Sequence, residues 1–297
     1  SEVTLAVKYR ERNEKGDWCG GPMYYIKNGL GPKWKWLGGV FAVLGAIAAF
    51  GIGNIAQVHS IADSVKSVAV AFNENAANKE MFICLITGIC VAIFVALVLL
   101  GGVKRIGQVT EKLVPGMAVI YIVCALIVVF ANVSAVPGVF ASIFKGAFNP
   151  AAVTGGAAGM SIKLAMTKGV GRGVFSNEAG LGSAGIAAAS ADASSPVQQG
   201  YISMTGAFFD TIIICTVTGL AICCSGVLGA VDASGAPVDG AALTILAFQT
   251  VLGDLGGKCI ALFIVLFAFS TILGWEYQGE TAFSYLTRDR GRMAYRL

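Results

Sequence analysis

The chain has 297 residues, of which 56% are hydrophobic and only 13% charged, with a net charge of +4 and a mean hydropathy of +0.75. A soluble globular chain carries roughly 45–50% apolar and about 25% charged residues, so this one has too few charges to solvate a surface of its size. That argues against a soluble enzyme, a secreted disulfide scaffold, a disordered chain and a nucleic-acid binder, and leaves a polytopic membrane protein.

Residues 1–35 are polar and basic, with Gly20-Gly21-Pro22-Met23-Tyr24-Tyr25-Ile26 reading as an interfacial stretch whose aromatics sit at headgroup depth. The chain opens on Ser1, and residues 2–10 read as the end of a helix. The expectation is therefore an internal fragment or a chain that has lost its N-terminus. The first span is predicted over 37–60. The second covers 81–103, 23 residues without a charge, enough for about 30 Å of hydrocarbon at ~1.5 Å per residue. A third lies within 113–144, ended or bent at Pro137-Gly138. Residues 151–191 are rich in Gly and Ala, and six glycines fall between 169 and 185. Glycine recurs too often there for one continuous helix, so a broken helix crossing in two halves is predicted. The fifth span covers about 201–227, with Asp210 in its first third. Residues 241–252 are read as a short piece lying flat or re-entering as a cap. The last span runs from about 259 to 285, tilted and extended past its apolar part by Glu276 and Glu280.

Lys and Arg in the connections set orientation. The first 35 residues hold seven, 61–80 two, 104–112 three, 135–150 one, 229–240 none, and the tail 287–297 has four. The alternation fits six crossings with both ends cytoplasmic, although 192–199, an expected inside loop, has neither Lys nor Arg. Seven of the eight cysteines lie in apolar runs and read as small apolar side chains. A single His excludes a multi-His metal site.

The broken helix is the central motif. Main-chain groups freed at bilayer depth must be satisfied, and half-helix N-termini and unwound carbonyls are where transporters hold carboxylates and cations. Phe175-Ser176-Asn177-Glu178 follows the glycines, and Arg172 and Glu178, six apart, could pair if the helix is interrupted between them; the bland alternative is a cytoplasmic loop between two short helices. In Gly51-Ile52-Gly53-Asn54-Ile55-Ala56-Gln57, Asn54 and Gln57 share a helical face. They either bond neighbouring helices or line a solute site. His59 reads as interfacial rather than as a proton relay. Asp210, an intramembrane carboxylate, is a functional candidate or a partner for a basic group or helix end. Ser270 and Thr271, followed by Trp275, suit a hard monovalent cation, unless the hydroxyls are spent on their own helix carbonyls.

These residues resemble the alanine/glycine:cation (sodium) symporters. The resemblance rests on the Gly20–Ile26 motif, on Phe50-Gly51-Ile52-Gly53-Asn54 with Gln57, on the thirteen-residue block Gly171-Arg172-Gly173-Val174-Phe175-Ser176-Asn177-Glu178-Ala179-Gly180-Leu181-Gly182-Ser183, on Phe209-Asp210-Thr211-Ile212-Ile213-Ile214-Cys215-Thr216, and on Phe269-Ser270-Thr271-Ile272-Leu273-Gly274-Trp275. It runs in order along essentially the whole chain. It implies an all-α polytopic membrane protein with the five-plus-five inverted-repeat fold of the leucine-transporter class, of which this chain would cover roughly the end of helix 2 through helix 8. By that resemblance it would lack the family's first broken helix, with its Gly-Thr-Gly-Asn-Ile-Ala-Gly-like motif, and its last helices. Residues 1–297 would then form one partial transmembrane transporter domain: 1–35 cytoplasmic or interfacial, 36–286 membrane core with the break near 151–191, and 287–297 a cytoplasmic basic tail. By the same resemblance Gln57, Phe175, Ala179 and Trp275 would line the amino-acid site, and Ser270 and Thr271 would give side-chain oxygens to sodium. The implied activity is sodium-coupled uptake of alanine or glycine by alternating access across a prokaryotic plasma membrane. No cofactor is implied beyond Na+ as coupling ion, and no nucleic acid is involved. An ion channel or a non-transporting scaffold subunit are the alternatives; an enzyme would need paired acids, a Ser/His pair or metal ligands.

Overall fold

The structure is a computed structural model, and it describes residues 1–14, 16–72, 79–148, 177–231, 235–291 and 295–296. It is almost entirely helical. Among the described residues five helical stretches are long and apolar enough to cross a membrane: Pro32–Val70, Glu80–Leu99, Arg105–Ala131, Pro196–Cys224 and Gly240–Thr287. The break expected within 151–191 falls mostly outside the described residues, as do Arg172 and Phe175.

Helix α1 (Glu2–Lys8) is followed by a two-residue antiparallel ladder of β1 (Glu11–Arg12) and β2 (Trp18–Cys19). Helix α2 (Pro22–Gly29) begins with Pro at its first turn, where the missing N–H costs nothing. Cys19 through Met23 are buried, and a Cβ on Gly20 would collide with that of Ala189. Met23 packs with Ala42, Ala46 and Ile186. The two glycines serve close helix approach, which only a residue without a side chain permits.

The first span is composite. Helix α3 (Lys35–Ala48) widens into a π-helical segment (Ala49–Ile55) and continues as α4 (Ala56–Phe72). Helix α5 (Glu80–Leu99) turns sharply at Gly102, at φ 68, into α6 (Gly102–Ala131). The basic stretch 104–112, expected as a loop, is therefore the first turns of α6; Lys and Arg are good helix formers. Helix α6 ends at Ala131 rather than at Pro137-Gly138. Pro137 instead opens a separate helix, α7 (Val136–Phe148), whose apolar part is shorter than a full crossing.

After the undescribed stretch come α8 (Glu178–Leu181) and α9 (Ala184–Ala189), joined through Gly182 in the left-handed region. Helix α10 (Pro196–Ala207) is capped by Ser195, widens into a second π-helical segment (Phe208–Cys215), and resumes as α11 (Thr216–Cys224). Residues 241–252 form a short helical piece of their own, as expected. It ends at Gly253, whose φ of 65 and ψ of −168 are not helical, and the last span carries on from there to Thr287; the two pieces are labelled together as α12 (Gly240–Thr287). Helix α12 is the centre of the molecule. It packs against α3, α4 and α6, and its Phe248, Ile260 and Ala261 join Tyr121, Val128 and Ala221 in the largest buried cluster. Beyond it the tail turns back rather than trailing free. Tyr295 is buried, donates a 2.9 Å hydrogen bond to the carbonyl of Ala46, and packs its ring on Phe50 and Phe283. All eight cysteines are free thiols.

Candidate functional site

Trp275 sits on α12 directly against the first π-helical segment. A Cβ at Gly53 would lie 2.7 Å from Cγ and Cδ2 of the indole, so the ring rests on bare main chain. The residues of the Gly51–Gln57 motif then part company. Gln57 lines a cavity of about 410 Å³ with Tyr121, Asp210, Thr218 and Thr271, whereas Asn54 does not. Asn54 Oδ1 and Glu276 Oε1 are buried without a hydrogen-bond partner among the described residues. A wider turn changes the angle between successive side chains, so the three-residue spacing that puts two groups on one face of an α-helix fails across a π-helical segment. His59 is exposed and sits 3.2 Å from Asp63, one turn on.

Ser270 and Thr271 both donate to the carbonyl of Phe267, at 2.8 and 2.9 Å. Their protons are committed to their own helix, and their lone pairs are what remains to offer a ligand. Four residues after Thr271, about 6 Å along the axis at ~1.5 Å per residue, Trp275 lines a second cavity of about 280 Å³. Gln278 of α12, Phe41, Gly45 and Ala48 of α3, and Leu181 and Ser183 from the α8–α9 corner complete its walls. Gln278 is 3% and Ser183 5% exposed; the Ser183 hydroxyl has no hydrogen-bond partner among the described residues, and the Gln278 amide faces the Glu178 carboxyl. Buried polar groups without partners cost about 1–3 kcal/mol each, so a polar occupant of this cavity is favoured. Gln278 and Ser183 were not singled out from sequence. The available signal was an amide three residues after Trp275, on nearly the same helical face.

Ala179 lies elsewhere. With Asn177 it lines a third cavity, of about 690 Å³, bounded by Glu2, Thr4, Tyr201 and Met204. Of the four residues that the resemblance assigns to the amino acid, Gln57, Trp275 and Ala179 thus line three different cavities, and Phe175 lies outside the described residues. Asn177 links two of these regions. Its Oδ1 accepts from the N–H of Ala179 at 3.0 Å, capping α8, and its Nδ2 donates to Asp210 Oδ2 at 3.1 Å. Asp210 is therefore paired with a helix end, one of the two roles anticipated for it. Nearby, Glu2 accepts from the N–H of Gly185 at 3.3 Å; burial raises its carboxyl above the ordinary carboxylate range, and that hydrogen bond opposes the rise. At the far end of α12, Glu280 is paired with Arg296 through two hydrogen bonds, at 2.7 and 3.1 Å.

A central helix bearing stacked cavities, inside a set of long apolar helices, defines a multi-pass α-helical membrane protein with small polar sites at its core. The chain belongs to the sodium:alanine symporter family, whose profile matches residues 1–297; family and relatives are transporters rather than enzymes. An uncharacterized transporter of Haemophilus influenzae is 44% identical over all of this chain and 62% of its own length. The sodium/alanine symporter AgcS of Methanococcus maripaludis is also 44% identical, over all of the chain and 62% of its own length. A probable sodium/glutamine symporter, GlnT, of Bacillus subtilis is 38% identical over 97% of the chain and 56% of its own length. The chain thus spans about three fifths of the length of these relatives.

Proposed function

We propose that this chain forms the greater part of a sodium-coupled symporter for small neutral amino acids, alanine or glycine. It works by alternating access in a prokaryotic plasma membrane, with both ends of the chain cytoplasmic and a leucine-transporter-like inverted repeat as its frame. Family membership supports the class of activity. The observation that carries the reading is the Trp275 cavity. Its walls are mostly apolar, its volume of about 280 Å³ suits a small solute, and it holds the Gln278 amide and the Ser183 hydroxyl, the latter without a hydrogen-bond partner among the described residues. One helical turn away, Thr271 and Gln57 line the second, more polar cavity. A symporter needs two such neighbouring sites, one for the solute and one for the ion, on helices that can move together.

The test is binding of labelled L-alanine to the purified full-length protein in sodium against choline. The expected result is a signal that requires sodium, is weakened by Trp275→Ala and by Phe175→Ala, and is accompanied by normal membrane expression of both variants. Equal signals in sodium and choline would reject coupling. Unchanged affinity in both variants would move the solute away from this cavity. A channel would instead pass sodium current without saturable alanine binding, and a scaffold subunit would show no ion dependence.

A further inference from the structure

We propose that the 410 Å³ cavity between α4, α6, the second π-helical segment and α12 is a monovalent-cation site whose charge is the Asp210 carboxylate. It is separate from the Trp275 cavity, and it does not involve Ser270. The inference deepens the symporter reading, on which it rests, by naming the residue that attracts the ion.

The argument is a count of protons. Five hydroxyl side chains line this cavity. Ser60 donates to the carbonyl of Ala56 at 3.1 Å, Thr218 to that of Ile214 at 2.7 Å, Thr244 to that of Gly240 at 3.2 Å, and Thr271 to that of Phe267 at 2.9 Å. The Tyr121 and Thr218 oxygens lie 2.8 Å apart. Since the Thr218 proton is already given to Ile214, Tyr121 is the donor there. Every hydroxyl proton is therefore spent on protein, and the oxygen lone pairs are left over. The Gln57 amide supplies one more oxygen, together with the only side-chain N–H groups among the described residues of the lining. Among those residues Asp210 supplies the only formal charge, with no Lys, Arg or His.

Such a lining repels anions and solvates a cation. Carboxylate, hydroxyl and amide oxygens are hard donors, and the described lining has neither the thiolate nor the imidazole that softer metals prefer. One negative charge matches one positive charge. A carboxylate on a membrane-spanning helix is costly without a partner, and its partner shown here, Asn177, is neutral. The same carboxylate holds the Asn177 side chain, whose oxygen caps α8, and α8 leads to Leu181 and Ser183 in the Trp275 cavity. A cation drawn to Asp210 therefore acts on the group that fixes the start of α8, which gives ion binding a physical route to the solute cavity.

The experiment uses the full-length protein in lipid nanodiscs. Wild type, Asp210→Asn, Asp210→Glu and Thr218→Val are compared in two measurements. One is the sodium concentration giving half-maximal alanine binding; the other is the thermal stabilisation by sodium chloride over choline chloride without amino acid. Asp210→Asn keeps an acceptor for Asn177 and removes only the charge. It should raise the half-maximal sodium about tenfold or more, the loss expected for one charged ligand, and abolish most of the sodium-specific stabilisation. Thr218→Val should raise it by roughly threefold, as for a neutral ligand. Should Asp210→Asn fail to fold, Asp210→Glu and Thr218→Val still report, because both retain the charge and should shift sodium affinity. Sodium dependence in every folded variant within about twofold of wild type would overturn the proposal, and would mean that a basic side chain neutralises Asp210. If wild type binds no alanine in sodium, the symporter reading fails, and the stabilisation by sodium alone still decides whether the Asp210 site exists.

Discussion

Replacing Arg296 by Ala tests how the tail is held to the end of α12. Glu280 is 1% exposed, and Arg296 binds it through both Nε and the terminal nitrogen, at 2.7 and 3.1 Å. Each hydrogen bond to a charged group contributes roughly 1.5–3 kcal/mol, and breaking a buried pair by removing one partner costs about 3–5 kcal/mol because the other charge stays buried. The Arg296 side chain is 22% exposed, so water screens the pair in part and the lower end applies, about 3 kcal/mol. At about 2–4 °C per kcal/mol for a chain of this order of size, the unfolding midpoint should fall by about 6–12 °C. Glu280→Gln should cost less, because the orphaned guanidinium can turn toward solvent whereas the orphaned carboxylate cannot. The double variant Glu280→Gln/Arg296→Ala should recover much of the loss, since the orphaned Glu280 charge is then gone. The assay is thermal unfolding of the purified full-length protein, followed by intrinsic fluorescence. A midpoint for Arg296→Ala within about 1 °C of wild type, or a double variant no better than Arg296→Ala alone, would refute the reasoning.

Gly53→Ala should destabilise the fold by about 1–3 kcal/mol through overpacking, because its Cβ would stand 2.7 Å from the Trp275 ring; a thermal midpoint equal to wild type would show that the indole moves away freely. Asn177→Ala removes the cap of α8 and the contact to Asp210, and should cost about 1 kcal/mol, read as faster hydrogen exchange in residues 178–181; unchanged protection there would show that the cap is dispensable. Glu11 carries a pH dependence. Burial raises its carboxyl, but the hydrogen bonds from Lys27 and Asn28 outweigh it and hold the group below the ordinary value of 4.5. Its stabilising contribution is therefore present above pH 4.5 and is lost as the pH falls through its lowered value. Glu11→Gln should flatten the acid limb of the stability curve below that point, by a small amount because the pair is partly exposed. A limb as steep as wild type would assign the acid sensitivity to other groups.

The spans were legible because each rests on local composition: long uncharged runs such as 81–99 need no knowledge of their neighbours. What failed to show in sequence depends on contacts between distant residues. Gly20 and Gly21 read only as part of an interfacial stretch, and their burial could not be seen, because Ala189 and Ile186, some 165 residues later, are what press against them. The division of 240–287 into a short piece and a long span was legible, and Gly253 breaks the helix with non-helical angles. That the long span begins at once, with Asp254 and Lys258 inside it, was not, because it depends on packing against α4 and α6. The four arginines of the tail spoke only to its orientation; that Tyr295 and Arg296 fold back onto Ala46 and Glu280 is a pairing that no spacing in the sequence encodes.

The two π-helical segments tie these observations together. Each interrupts a spanning helix at a motif that carried the family resemblance, Ala49–Ile55 around Phe50-Gly51-Ile52-Gly53-Asn54 and Phe208–Cys215 around Phe209-Asp210-Thr211. Neither contains Pro, and periodicity cannot reveal them, because an extra residue in a turn leaves composition and hydropathy untouched. Their consequence is a rotation of everything downstream: after the first, Gln57 reaches a cavity that Asn54 does not, and within the second lies Asp210, facing the same cavity. A wide turn leaves main-chain groups less tightly bonded and occurs mostly at functional positions. If the wide turns set this geometry, deleting one residue, such as Ile52 from the first segment or Ile212 from the second, should restore regular α-helical phasing and abolish sodium-dependent alanine binding in the full-length protein. Retained sodium dependence in a folded deletion variant would show that the wide turns do not set the geometry of the cavities.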